Sequence, residues 1–440
     1  MRSVSHQSWF PRRLVVGLTP RPRAPFVDLV WLYYWMMLSQ VVGSPMQTPP
    51  AFDLFPGTNL VRISIVIPPD GMNTLRSYRW TRENPNETNR PYALARVDSG
   101  GTFFTNVAVH LKGSFGSFRS VDGLPGLTLN FDKFAPGQEF YGLHKVSLNN
   151  SVQDPTCLHE KLCRELFESA GVPVPRADHA VVFLNGRRLG LYVVTEGFGK
   201  RFLRRFFKKA EGNLYDAGYL QDIDQPQKLR LDFGDCPAGL PTLRRLLTAT
   251  RQLDPSQRFR DLEQVLDVDR FVSMMALEVI LCHWDSYSLN RNNYRVYYNP
   301  DNGKLVFMPH GMDQVLGIDR PNLDLPLLPQ MVGRVSRALV GTPEGRRRYL
   351  SRLDHLFVTR FDPAGLCRRL HEIDAKIAPE LQPPQHRWPV RGRGPRAIIM
   401  TSGNRARDVE ELCDRISTRA DHLRRQLAGL SSRDVGTVGH

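Results

Sequence analysis

The stretch HWDSYSLNRNNY, residues 283 to 294, gathers side chains that can move a proton and hold a metal ion. It contains His283, Asp285 and three asparagines, Asn290, Asn292 and Asn293. An aspartate can orient a hydroxyl group and accept its proton, and carboxylate and amide oxygens are the ligands that Mg²⁺ prefers. The segment therefore predicts an acid–base centre beside a divalent cation.

The spacing of these residues narrows the chemistry to phosphoryl transfer. Asn290 lies five positions after Asp285, and a later aspartate, Asp313 of HGMD, follows a predicted hairpin closed by Asp301-Asn302-Gly303. Kinase-type enzymes place a catalytic aspartate, an asparagine and a second, metal-binding aspartate in this order and at this first separation. We therefore predict Asp285 and Asn290 as catalytic residues and Asp313 as a metal ligand.

Alternatives remain within this pattern. The amide that binds the metal is either Asn290, which has the ordinary kinase spacing, or Asn293, the second asparagine of the NNY triplet. We predict that His283 packs beneath the loop and supports it, since the aspartate already serves as the base. The structural alternative is that Asp285 and Asn293 only form turns before a strand.

The elements that must position these residues change in type along the chain. Alternating apolar and polar residues predict short strands from residue 60, and Asn185-Gly186 predicts a hairpin. One helix is predicted with Asp154 as N-cap, Pro155 in its first turn and Gly171 as terminator. Beyond residue 200 helical patterns dominate. The fold class is therefore α+β and bilobal, in three segments: a β-rich N-lobe at 60–200, a mainly helical C-lobe at 201–380, and a Pro/Arg-rich loop with an amphipathic helix at 381–440.

The N-terminal residues have the composition of a targeting segment. Residues 1–46 combine an Arg-rich start with an apolar run that ends in small residues, as a secretory signal does. A membrane anchor or a misassigned start codon are the alternatives. Residues 47–59 form a Pro-rich linker. We predict a secreted or cell-envelope protein, with a cytoplasmic location as the alternative.

The net charge and the cysteine content limit which binding partners and metal sites can be predicted. The net charge of +15 at pH 7 favours polyanions such as nucleotide phosphates, nucleic acid or an anionic envelope surface, although a solvated arginine-rich surface explains it equally. No motif specifies a nucleic acid, so specific nucleic-acid binding is not expected. The six cysteines lack CxxC or metal-ligand spacing, so neither a zinc site nor a dense disulfide framework is predicted.

Three segments together give the chain a family resemblance. They are HLKGSFGSFRS, the stretch from FYGLHKVSLNN to LYVVTEGF, and the stretch from HWDSYSLNRNNY to HGMD. Over roughly residues 60 to 320 the sequence resembles the spore-coat CotH-type atypical protein kinases. The resemblance implies an atypical protein-kinase-like fold, ATP with Mg²⁺ or Mn²⁺, and phosphate transfer to Ser or Thr of a protein substrate. It also implies that Asp285 is catalytic and that Asp313 binds the metal.

The nucleotide-binding residues are less determined, because the chain departs from the family here. Lys145, just before the predicted helix, best fits the phosphate-binding lysine, with Lys112 and Lys133 as alternatives. Its partner is Glu160 or Glu165. The family often has lysines just before the LTLNF strand, whereas this chain has Leu-Pro-Gly-Leu, which leaves Lys112 or Arg119 to supply positive charge. Further phosphate contacts are expected from backbone amides of the loop, at Ser114, Gly116 and Ser117.

Three hypotheses of function follow. The first is an active, monomeric CotH-like kinase that uses ATP and a divalent metal on a protein substrate. The second is a catalytically inactive coat or surface structural protein, or a nucleotide-binding scaffold, with the same fold. The third is an arginine-rich binder of nucleic acid or an anionic surface, for which steep salt dependence would be the signature.

Overall fold

The computed structural model describes residues 54–55, 60–81, 90–154, 156–317, 322–381 and 405–435, with side chains described through residue 430. The predicted leader at 1–46, most of the predicted linker at 47–59 and the predicted Pro/Arg-rich loop at 382–396 lie outside these residues.

A closed β-barrel forms the first part of the described chain. Its strand order is β1-β2-β3-β4-β5-β7-β6, in which β6 runs parallel to β1 and all other neighbours are antiparallel. Two helices accompany it. The elements are β1 (Val61–Val66), α1 (Pro69–Ser77), β2 (Ala93–Ser99), β3 (Thr102–Lys112), β4 (Gly126–Asn130), β5 (Lys145–Asn149), α2 (His159–Ser169), β6 (Ala177–Leu184) and β7 (Arg187–Glu196).

Alternation along β5 separates apolar side chains in the barrel interior from polar side chains on its outer face. In β5, Val146 and Leu148 are buried in the barrel core, while Lys145, Ser147 and Asn149 alternate with them and point to the other face. The predicted Asn185-Gly186 hairpin is confirmed, since both residues adopt positive φ between β6 and β7. The barrel therefore presents polar side chains from β5 beside α2.

The predicted start of the helix near residue 154 is wrong. Helix α2 begins at His159. The Asp154 carboxylate accepts hydrogen bonds from the backbone amides of Thr156 and His159, at 3.1 Å each, and so stabilises a turn that precedes the helix. Cys157 adopts a left-handed conformation with φ of 59°, which interrupts helical geometry before His159. Pro155 lies outside the described residues.

Helices and a four-stranded sheet make up the rest. The sheet has the order β11-β10-β8-β9 and is antiparallel throughout. The elements are α3 (Lys200–Arg204), β8 (Leu214–Asp216), β9 (Arg230–Phe233), α4 (Gly239–Ala249), α5 (Pro255–Val265), α6 (Val268–Ile280), α7 (Tyr287–Asn290), β10 (Tyr294–Asn299), β11 (Lys304–Pro309), α8 (Arg334–Val340), α9 (Pro343–Arg360), α10 (Pro363–Ile377) and α11 (Arg405–Val435).

The long helix α11 is tied to the centre of this helical part by one buried arginine. Arg419 is fully buried, and its guanidinium donates to the carbonyl oxygens of Val279 and Ile280, at 2.9 and 3.1 Å. It also donates to the carbonyls of Leu323 and Leu325. Because the carbonyls at a helix C-terminus carry partial negative charge, the arginine stabilises the end of α6, from which the chain enters the 283–294 loop.

The fold is thus a mixture of helices and largely antiparallel sheets. Strands precede a mainly helical part in the described residues, as the sequence predicts, but α1 (Pro69–Ser77) is a second helix among the strands that was not predicted. The predicted hairpin of β10 and β11 is part of a four-stranded sheet. Within the same residues, no helix combines the length and apolarity needed to cross a bilayer.

Candidate active site

Asp285 is held by a set of asparagine amides in the loop that follows α6. Its Oδ1 accepts a hydrogen bond from Asn290 Nδ2 at 2.6 Å, and its Oδ2 accepts from Asn292 Nδ2 at 3.0 Å and Asn293 Nδ2 at 2.9 Å. The carboxylate is half-buried. Three neutral donors fix its orientation without neutralising its charge, as an acceptor for a substrate hydroxyl requires.

The loop bends tightly to bring these amides round the carboxylate. Arg291 and Asn293 both adopt left-handed backbone conformations, with φ of 57° and 53°. Asparagine enters this region more readily than most residues. Asn293 Nδ2 also donates to the backbone carbonyl of Asp285 at 3.0 Å, so one side chain fixes both the backbone and the carboxylate.

Asp313 reaches the same region through contact between its own loop and Asn293. The backbone amide of His310 donates to the Asn293 carbonyl at 2.9 Å. Gly311 has a φ of 65°, and a Cβ at this position would lie 2.4 Å from Asn293 Oδ1. Only glycine allows so close an approach in this conformation. The two predicted aspartates are therefore carried by loops that pack against each other through one asparagine.

Asp313 lies among other acidic groups. Burial, followed by the negative charges of Glu160 and Asp154, raises its pKa to about 7, while Lys112 acts in the opposite direction. Glu160 is buried on α2, and its Oε1 accepts from the backbone amide of Met312 at 3.2 Å. A carboxyl group destabilised by neighbouring carboxylates would be stabilised in its ionised form by a bound cation.

The lysine that faces this acidic group is Lys112. Burial lowers the pKa of Lys112, and the charges of Glu160 and Asp313 oppose that effect. Its Nζ donates to Asn149 Oδ1 at 3.4 Å, and Asn149 Nδ2 donates to Glu160 Oε1 at 3.4 Å. Lys112 is thus linked to Glu160 through Asn149. Its strand partner is Gly126, where a Cβ would lie 2.9 Å from Lys112 Cγ, so a larger residue there would crowd the lysine side chain.

Lys145, the first choice from the sequence, lies in a different charge environment. Burial lowers its pKa to about 8, followed by the positive charges of Arg295 and Arg230, and Asp216 acts in the opposite direction. Those residues belong to the four-stranded sheet, where Arg295 Nη2 pairs with Asp216 at 3.0 Å. Neither Glu160 nor Asp313 contributes to the pKa of Lys145. The charges of Glu160 and Asp313 therefore act on the pKa of Lys112, whereas those of Arg295, Arg230 and Asp216 act on the pKa of Lys145.

The remaining charged candidates have other partners. Glu165 pairs with Arg369 at 2.9 Å on the outer side of α2. Lys133 lies over the Tyr92 ring, 4.5 Å from its centroid. Arg119 donates to carbonyls of its own loop.

The Gly/Ser loop after β3 is closed on itself. The Ser114 amide donates to Ser117 Oγ at 3.1 Å, and the Ser117 amide donates to the Ser114 carbonyl at 3.2 Å. Gly116 has a φ of 83°, and a Cβ there would lie 2.8 Å from Gln153 Nε2. Two of the three amides predicted to bind phosphate are therefore already engaged within the loop.

Residues that the sequence analysis did not select complete the site. Arg164 Nε donates to Glu160 Oε2 at 2.5 Å, and both side chains are buried. Their i,i+4 spacing on a predicted helix was the signal available in the sequence. Beneath the catalytic loop, Glu278 Oε2 accepts from the Ser288 amide at 3.2 Å, and burial raises the pKa of Glu278 to about 7. His283 is fully buried, and burial lowers its pKa to about 4.

Comparison with known protein families shows to which family the chain belongs. A family model described as "CotH kinase protein" matches residues 125–423. The chain belongs to this family. The resemblance found in the motifs is thereby confirmed, although the matched region begins after the Gly/Ser loop and extends into α11, beyond the 60–320 range expected from the motifs.

Curated relatives of this CotH family member are distant. Inner spore coat protein H of Bacillus subtilis (strain 168) is 24% identical over 198 residues, covering 42% of this chain and 54% of that protein. Invasin CotH2 of Rhizopus delemar is 25% identical over 267 residues, covering 53% of this chain and 44% of that protein. The chain thus matches only about half the length of these relatives.

One solved structure is similar at low identity. The structure entitled "Crystal structure of A Helicobacter pylori proinflammatory kinase CtkA" aligns with a TM-score of 0.31 and 11% identity. The alignment covers 70% of this chain and 95% of that one.

Proposed function

We propose that this CotH family member is an ATP-dependent protein kinase that transfers the γ-phosphate of ATP to a Ser or Thr hydroxyl of a protein substrate. The observation that supports this most is the hydrogen bonding of Asp285, whose carboxylate is oriented by three asparagine amides. One of these asparagines also contacts the loop that carries Asp313. General-base and metal-binding carboxylates on contacting loops are the arrangement that phosphoryl transfer uses.

In the proposed reaction Asp285 orients the acceptor hydroxyl and accepts its proton. The amides of Asn290 and Asn292 occupy one lone pair on each carboxylate oxygen, which holds the group in one rotamer. These amides carry no charge, so their hydrogen bonds orient an ionised carboxylate without pairing it with a cation, as a proton acceptor requires. Asn290 therefore acts by positioning Asp285.

The residues around Asp313 suit a divalent cation, Mg²⁺ or Mn²⁺. Asp313 would supply a carboxylate oxygen and Asn293, which packs against Gly311, would supply an amide oxygen. The raised pKa of Asp313 supports this assignment, because a cation would relieve the repulsion from Glu160 and Asp154. When bound, the ion would neutralise negative charge on the ATP phosphates.

We assign the phosphate-binding lysine to Lys112. It is linked through Asn149 to Glu160, which is itself held by Arg164 and by the Met312 amide. This connection supports a role for Lys112 as the positive charge that would meet the nucleotide phosphates near Asp313. The barrel would then be the small lobe and the helical part the larger lobe of a bilobal, kinase-like architecture.

A surface location fits the names of the relatives, an inner spore coat protein and an invasin. We extend it to this chain as a secreted or envelope-associated kinase. The strongly positive net charge is compatible with an anionic envelope surface.

The test is incubation of the full chain with γ-labelled and, separately, α-labelled ATP, with Mg²⁺ or Mn²⁺ and a generic basic protein as acceptor. Asp313→Ala is the inactivating variant, and Asp354→Ala, at an exposed position of α9, is the matched control. Label from the γ position only, lost in Asp313→Ala and kept in Asp354→Ala, is the expected result. Label from the α position would replace phosphate transfer with nucleotide transfer. No label, with no ATP-dependent thermal stabilisation, would favour the inactive scaffold.

A further inference from the structure

Helices α10 and α11 bring together four side chains that are common metal ligands. Cys367 and His371 are separated by four positions on α10, and Glu410 and Cys413 by three on α11. These separations place the two residues of each pair on one face of their helix. Three of these side chains, His371, Glu410 and Cys413, bring their donor atoms together, and the fourth, Cys367, lies beside Cys413.

The donor atoms are already close to one another. His371 Nε2 lies 3.5 Å from Glu410 Oε1, and the donor atoms of His371, Glu410 and Cys413 all lie within 4.8 Å of each other. The thiols of Cys367 and Cys413 are within hydrogen-bonding reach. Metal–ligand bonds of about 2.0 to 2.3 Å in a tetrahedron give separations of about 3.3 to 3.8 Å. The donor atoms of His371, Glu410 and Cys413 are therefore close to these separations, and the Cys367 side chain would turn from Cys413 toward the same point to complete the set.

Burial and charge suit a cation at this point. Cys413 is buried and Cys367 half-buried, while His371 and Glu410 are exposed at the surface. The charged side chains that act on both thiols are carboxylates, those of Glu410 and Asp414. The group therefore combines one buried and one half-buried thiol with two solvent-exposed ligands, and carboxylates lie nearby.

We propose that this cluster binds one thiophilic divalent cation, Zn²⁺, through Cys367, His371, Glu410 and Cys413. Two thiolates with an imidazole and a carboxylate select zinc over Mg²⁺, which prefers oxygen ligands alone. Four protein ligands leave no open position, so the ion acts structurally and joins α10 to α11. The site is separate from the residues around Asp285 and does not depend on kinase activity.

This proposal revises the expectation that no zinc site is present. That expectation depended on spacing along the sequence, and each helix here carries only half of the ligands. The halves meet because α10 packs against α11. Neither a CxxC pair nor a single His-rich segment is needed for such a site.

The experiment is metal titration of the reduced full chain, with Co²⁺ as the spectroscopic probe and Zn²⁺ as competitor. Thiolate-bound tetrahedral Co²⁺ gives intense visible and charge-transfer absorption, which Zn²⁺ should abolish at one equivalent per chain. Cys413→Ser and His371→Ala should each weaken Zn²⁺ binding by at least about 10- to 100-fold, the loss typical of a disturbed zinc site. Because His371 is exposed, its variant should fold normally.

The matched controls are Cys236→Ser, at a half-buried cysteine in another part of the chain, and His422→Ala on α11. Both should bind Zn²⁺ as the wild type does, and Zn²⁺ should raise the thermal unfolding midpoint of the wild type and controls only. Equal loss in His422→Ala and His371→Ala would overturn the site. So would a protein that, purified without reductant, carries no metal and shows Cys367 and Cys413 joined in a disulfide by mass spectrometry.

Discussion

Asn293 donates its side-chain amide to the Asp285 backbone carbonyl at 3.0 Å and to the Asp285 carboxylate at 2.9 Å. Its own backbone carbonyl accepts the amide of His310, from the loop that leads to Asp313. A single residue therefore sets the orientation of the proposed base and the position of the proposed metal ligand. Of the substitutions that leave both aspartates in place, we therefore expect the loss of Asn293 to reduce catalysis most.

We expect Asn293→Ala to lower the rate of phosphate transfer by about 10- to 100-fold, less than the roughly 100- to 10,000-fold that loss of the acid–base group itself would cost. The change also places alanine at a φ of 53°, which costs about 1 kcal/mol. Asn106→Ala is the matched control, because Asn106 is exposed, distant in sequence and has a φ of 55°. Radiolabel transfer and urea unfolding measure the two effects. Equal rates in the two variants would remove Asn293 from the site.

The choice of phosphate-binding lysine predicts different outcomes for two similar substitutions. Lys112→Met should weaken ATP binding at least tenfold, about 1.4 kcal/mol, because it removes the cation beside Glu160 and Asp313. Lys145→Met should change ATP binding much less, since Lys145 lies beside Arg295 and Asp216 instead. ATP titration followed by thermal shift, at constant Mg²⁺, distinguishes them. A larger loss in Lys145→Met would reverse the assignment.

The buried carboxyl group of Glu278 should make the free energy of unfolding depend on pH. Burial raises its pKa from 4.5 to about 7, so the folded protein keeps this proton over a pH range in which the unfolded chain has lost it. The wild type should therefore lose stability relative to Glu278→Gln as pH rises from about 4.5 to about 7, by roughly 3 kcal/mol at most. Glutamine can still accept the Ser288 amide.

The measurement for this prediction is the free energy of unfolding in urea across that pH range for both proteins. Glu372→Gln, at an exposed position of α10, is the control and should follow the wild type at every pH. If the wild type and Glu278→Gln show parallel curves, the buried carboxyl does not titrate as described.

The parts of the site that could be predicted from sequence are those formed by neighbouring residues. Asp285 and its asparagines lie in one loop, and Asp313 follows the hairpin next to it. Their spacing along the sequence was therefore enough to predict that they belong to one site. The phosphate-binding lysine could not be chosen in this way. Whether Lys112 or Lys145 faces Glu160 depends on how the barrel closes against α2, a contact between segments far apart in sequence.

Local signals also misplaced one boundary and missed helix α1 and strands β8 and β9. Asp154 does accept amide hydrogen bonds, as a cap should, but the left-handed Cys157 delays the helix to His159. Strands β8 and β9 have only 3 and 4 residues, too few for alternation to be recognised, and they form through pairing with β10 and with each other.

Arg419 should be the most important single residue of α11 for stability. Arg419→Met would leave the carbonyls of Val279, Ile280, Leu323 and Leu325 without this donor in a buried region. Unsatisfied buried polar groups cost about 1 to 3 kcal/mol each, so we expect a loss of at least about 3 kcal/mol in the free energy of unfolding.

Arg419→Lys should lose less, because lysine keeps the charge and part of the donors. Arg425→Met, exposed on the same helix, should change stability by less than about 0.5 kcal/mol. Urea unfolding of the three variants measures these free energies. Equal losses in Arg419→Met and Arg425→Met would show that the buried guanidinium does not anchor α11 to α6.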